Sequence, residues 1–86
     1  MKKVKTIRDE RYREFISELS KERTRLNISQ AELAEKTDLN QSDISKIEKF
    51  EKRLDVLELT KILTVLRVST NPRLQRLVLD FLGISE

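Results

Sequence analysis

If residues 41–48 form a helix, Gln41, Ser42, Ser45 and Lys46 share one face while Ile44 and Ile47 fall on the other. The polar face suits hydrogen bonding to the edges of nucleic-acid bases. A Gln amide offers a donor and an acceptor together, as an adenine edge requires. A Ser hydroxyl pairs with either kind of edge, and Lys favours the guanine acceptors or a phosphate. Asp43 runs against this charge pattern, because a carboxylate repels phosphates unless it accepts from a cytosine amino group or braces Asn40. Taken alone, the same four residues would serve equally as a solvated polar face.

The flanking sequence supplies the elements that would hold such a face in place. Ser29 followed by Glu32 is a capping box, in which the Ser hydroxyl takes the third-residue amide and the Glu carboxylate reaches back, so a helix starts at Gln30. Leu33 and Ala34 lie on its inner side. Asn40 has the side chain of a helix cap, so the next helix runs over about 41–48. Two helices meeting at a tight turn follow. Upstream, Tyr12, Phe15, Ile16, Leu19 and Leu26 recur at helical spacing over about 9–26, with Asn27 and Ile28 as the link. Downstream, 51–54 is a loop and Asp55 with Glu58 repeats the capping box. The helix it opens runs to about Arg67, with Leu59, Ile62, Leu63 and Leu66 facing in. Residues 69–72 break the pattern. Asn71 is a cap and Pro72 suits a first helical position, and Leu74, Leu77, Val78 and Phe81 form a last apolar stripe ending near Gly83.

Composition narrows the function classes. At 86 residues the chain is one small domain with a modest core and no room for a deep substrate cleft. Charged residues at 38%, one Gly and one Pro suit a compact helical protein and are poor material for hairpins. The absence of Cys and His removes the usual zinc ligands, disulfides and the standard Cys or His catalytic groups, so no metal and no cofactor are expected. Carboxylates without a recognisable pocket or partner base give an enzyme no mechanism. The net charge of +3 permits nucleic-acid binding without requiring it. No segment reaches membrane-spanning length and the amino terminus lacks the apolar run of a secretory signal, so a cytoplasmic protein is expected.

The residues Arg23, Leu26, Ser29-Gln30, Leu33-Ala34, Leu39, Gln41-Ser42, Ile44-Ser45, Ile47-Glu48 and the pair Lys52-Arg53 together resemble the phage repressor and Cro family, also called the xenobiotic-response-element family, over roughly residues 11–66. The resemblance implies an all-α, five-helix, lambda-repressor-like helix-turn-helix domain at 11–67. A basic arm at 1–10 precedes it and a C-terminal helix at 68–86, either a core cap or a dimerisation element, follows it. It implies double-stranded DNA as partner, with Gln41, Ser42 and Lys46 touching bases. Gln30, Asn40, Ser45, Lys49, Lys52 and Arg53 would meet the backbone, and Arg23 and Glu48 would form a salt bridge inside the domain. Gln30 is also expected to touch Gln41. Two positions depart from the family, which usually has Gly just after the recognition helix and in the turn before it; here they are Phe50 and Asp38. Asp tolerates positive φ, whereas Phe50 is either strained or marks a different helix end. The arm residues Lys2, Lys3, Lys5 and Arg8 would either lie along DNA or be disordered, and disorder is the expected state.

The function expected from the resemblance is a sequence-specific transcriptional regulator. It would act by operator occupancy as a homodimer with two-fold symmetry, because two copies must be held one helical turn apart. The alternative is an antitoxin-type interaction module that covers a partner toxin and autoregulates its operon. Its contact surface would be the last helix and the arm.

Overall fold

The computed structural model describes residues 7–84; Lys2, Lys3 and Lys5 of the expected arm lie outside the described residues, whereas Arg8, expected to be disordered with them, is placed, exposed and helical just ahead of the first long helix. Among the described residues the chain is an all-α domain with five helices and no strand. They are α1 (Glu10–Arg25), α2 (Gln30–Thr37), α3 (Gln41–Glu48), α4 (Val56–Val65) and α5 (Pro72–Leu82), with a 3-10 turn at Val68–Thr70. Each start is capped by a side chain: Asp9, Ser29, Asn40, Asp55 and Asn71 accept from amides three residues on. The Asp55–Glu58 box is reciprocal. The expected box at Ser29 is half formed, because the Glu32 carboxylate lies 3.7 Å from Lys36 Nζ, one turn along its own helix.

Helix ends depend on left-handed residues, and only one of them is glycine. Asn27, Asp38, Phe50 and Arg67 take φ of 63°, 64°, 65° and 64°. At Phe50 the Glu51 amide donates to the Lys46 carbonyl (2.8 Å) and the Phe50 amide to Ile47 (3.0 Å), the double bond that closes a helix on a left-handed residue. Helix α3 thus ends where the spacing places it, and the strained alternative holds at Phe50. A left-handed non-Gly residue costs about 1 to 3 kcal/mol unless its surroundings compensate. Helix α4 stops two residues short of Arg67, which itself is left-handed and lets the chain turn into the 3-10 segment.

The core is the meeting of the apolar stripes. Phe15, Ile16 and Leu19 of α1, Leu33 and Ala34 of α2, Ile44 and Ile47 of α3, Ile62 and Leu66 around α4, and Leu74 of α5 are buried. Helix α2 packs on α3 and α4, while α1 packs on α3 and α5. The last stripe faces inward: Leu74 is fully buried, and the Phe81 ring stacks on Phe15 with centroids 4.3 Å apart. One charged residue lies in this core. Glu22, 4% exposed, accepts from Arg25 and from Asn71 Nδ2 (2.7 Å), so that carboxylate ties α1 to the cap of α5.

Candidate nucleic-acid interface

Two neighbouring helices carry the candidate residues, and buried contacts fix how they meet. The turn between α2 and α3 is made by Asp38 in the left-handed region, with the Leu39 amide returning to the Ala34 carbonyl (3.1 Å). Asn40 then opens α3: its Oδ1 accepts from the Asp43 amide (3.1 Å) and from Ser42 Oγ (3.0 Å). With Ile44 and Ile47 buried, Gln41, Ser42 and Lys46 stand exposed and Ser45 half-buried. Thr37, buried at the end of α2, folds its hydroxyl onto the Leu33 carbonyl (2.7 Å) and so needs no outside partner.

Glu48 anchors the other end of α3. Its carboxylate takes Arg23 Nε on Oε2 (2.7 Å) and Arg23 Nη2 on Oε1 (3.0 Å), a bidentate pair at the end of α1. Gln30 Nε2 (2.9 Å) and Ser20 Oγ (3.2 Å) also donate to Oε1, and Arg23 Nη1 donates to the Ile28 carbonyl (2.7 Å). Burial pushes the Glu48 carboxyl up, but the bonds from Arg23 and Gln30, the Arg23 charge and the Ser20 bond outweigh it and hold the group below the usual carboxylate range. One side chain thus joins α1, α2 and α3.

Two residues expected at the DNA backbone have partners inside the domain. Gln30 begins α2 but spends its amide nitrogen on Glu48 and makes no hydrogen bond to Gln41, because the ionised carboxylate is the stronger acceptor within reach. Lys52 is paired rather than free: Nζ lies 3.1 Å from Glu58 Oε2, and that bond, with the nearby Asp43 and Asp55 charges, pushes the ammonium above its ordinary value. Asp43 engages Asn40 through its amide, which donates to Asn40 Oδ1. Lys49 and Arg53 remain exposed on the loop between α3 and α4. Of the positions assigned to DNA, the structure gathers Asn40, Gln41, Ser42, Ser45, Lys46 and Lys49 along α3 and its end, with Arg53 further along the loop.

Sequence reasoning missed Ser20, although its place three residues before Arg23 puts it on the same side of α1 and offers a usable signal. It also missed Tyr12 and Arg13, which reach the loop after α3. Tyr12 Oη accepts from the Leu54 amide (3.0 Å), and the Arg13 guanidinium lies 4.9 Å from the centre of the Phe50 ring. No local spacing marks contacts across some 40 residues. Among the described residues, no group of His, Cys, Asp and Glu side chains is placed to hold a metal ion, and no helix is long and apolar enough to cross a membrane.

A family model described as helix-turn-helix matches residues 19–72, well over half of the chain. The match runs from the second half of α1 to the first residue of α5. No curated protein matches the chain.

Proposed function

This chain belongs to the Cro/C1-type (XRE) helix-turn-helix family of DNA-binding transcription regulators, a family of regulators and not of enzymes, and from that premise we propose that it regulates by occupying an operator with α3 in the major groove. The observation that carries the reading is the exposed polar face of Gln41, Ser42 and Lys46 on a helix locked at both ends, by Asn40 and by Glu48. A reading helix must be held still, because a small misplacement forfeits the geometry of a bidentate base contact. Asn40, Ser45, Lys49 and Arg53 flank that face and are assigned to the backbone; Gln30 and Lys52 would contribute only by exchanging an internal acceptor for a phosphate. A DNA target implies a cytoplasmic protein.

A homodimer is part of the proposal. Its surface is a groove of 560 Å³ at the outer end of the α5 stripe, lined by Tyr12, Leu54, Val56, Leu59, Phe81 and Leu82. Of its lining, Val56 is 76% and Leu82 56% exposed. Exposed apolar residues gathered around a groove mark an interaction surface. The same groove favours the second reading, an interaction module that covers a different protein such as a toxin. Selection of binding sites from random duplex DNA tests the first reading: enrichment of a palindrome is expected, and failure to enrich any sequence would refute operator reading. Sedimentation of the isolated protein separates the two occupants of the groove, since a monomer would leave it to another partner.

A further inference from the structure

Resting on the DNA-binding reading, we propose that Arg13 and Tyr12, neighbours on α1, are positioning residues for DNA binding: they grip Phe50 and Leu54 and so hold the loop of residues 49–55 in the one course that presents Lys49 and Arg53 to the phosphate backbone. The loop leaves α3 through a left-handed Phe50, φ 65°, a conformation that a bulky side chain resists. Something must hold it there. The Phe50 ring is half-buried against the core on one side and covered by the Arg13 guanidinium, whose carbon lies 4.9 Å from the ring centre. Arg13 is itself steadied, since its Nε donates to the Ile7 carbonyl (3.0 Å). Four residues further on, Tyr12 Oη accepts the Leu54 amide (3.0 Å), a backbone donor that the turn leaves without a helical partner. Burial raises the Tyr12 phenol above its ordinary value, so it is neutral at physiological pH. Both ends of the loop are therefore fastened to consecutive residues of one helix, and the two exposed cations, Lys49 and Arg53, lie between or beside the fastenings. Glycine at position 50 would remove the strain and the fastening together.

The test is a double-mutant cycle on DNA affinity, at a temperature where circular dichroism shows every variant fully folded. The probes are a duplex recovered by selection with the unaltered protein and a short duplex of unrelated sequence. Arg13→Ala should weaken both about two- to fivefold, the range of an exposed cation–π contact, and lower the salt slope. Phe50→Gly should bind as weakly as Arg13→Ala despite its relaxed backbone. In the Phe50→Gly background, Arg13→Ala should change nothing further. Tyr12→Phe should weaken binding in the same direction. A loss from Arg13→Ala that is equally large with Gly at position 50 would make Arg13 a direct phosphate contact and overturn the proposal, as would unchanged affinity in Arg13→Ala and Tyr12→Phe. An unaltered protein that binds neither duplex would overturn the DNA-binding reading itself, a result distinguishable from failure of the variants alone.

Discussion

Replacing Glu48 by Ala removes one acceptor from four donor atoms, Arg23 Nε and Nη2, Gln30 Nε2 and Ser20 Oγ. Breaking a buried pair by deleting one partner costs about 3 to 5 kcal/mol, because the other charge stays buried without compensation. Here Arg23 and Glu48 side chains keep 13% and 15% exposure, and Arg23 retains its bond to the Ile28 carbonyl, so water and that carbonyl relieve part of the cost. Gln30 and Ser20 are half-buried and can turn outward. A loss near the low end, about 3 kcal/mol, is expected. For 86 residues the whole stability is on the order of 4 to 13 kcal/mol, so this one change removes a large share. Urea unfolding followed by circular dichroism should show a lower midpoint with an unchanged slope. The paired replacement Arg23→Met with Glu48→Leu should recover much of the loss, since apolar residues of similar size can stand in for a buried ion pair. A Glu48→Ala protein within about 0.5 kcal/mol of the original, the range of an ordinary surface change, would refute the view that this carboxylate joins the three helices.

Gln41→Ala and Lys46→Ala should each lower operator affinity by about 1 to 3 kcal/mol and relax preference at one base pair per half-site; equal loss on all sequences would make them backbone contacts. Glu22 is held below the ordinary carboxyl value of 4.5 chiefly by the Arg25 hydrogen bond, and Glu48 lies below it too. Both therefore bind fewer protons folded than unfolded. Their stabilisation is complete above about pH 4.5 and is lost as pH falls through their folded values. Urea midpoints between pH 7 and 3 should drop only at the acid end, and the double variant Glu22→Gln, Glu48→Gln should flatten that drop; an undiminished drop would assign it to other carboxylates. Charged replacements at the exposed Val56 and Leu82 should leave a folded monomer with weak operator binding, checked by sedimentation and circular dichroism, and a persistent dimer would place the interface elsewhere.

The five helices, their caps and the polar face of α3 were determined by local sequence. Capping and apolar periodicity act over three or four residues, which is why Ser29, Asn40, Asp55 and Asn71 could be read as starts directly, while the first helix was legible from its apolar spacing alone and its Asp9 cap is a finding of the structure. The inward face of α5 was also written in Leu74, Leu77, Val78 and Phe81, but whether that face meets this core or another molecule depends on the space α1 leaves open. Packing sets Leu74 into the core and stacks Phe81 on Phe15. The same holds for side chains with more than one acceptor or donor in reach. Gln30 and Lys52 have the residue types of backbone contacts, and tertiary structure also sets the Glu48 and Glu58 carboxylates beside them. Phe50 was recognisable as a residue in a glycine's place. Why the chain tolerates it was decided by Arg13, 37 positions away in the sequence and brought over the ring by the packing of the helices.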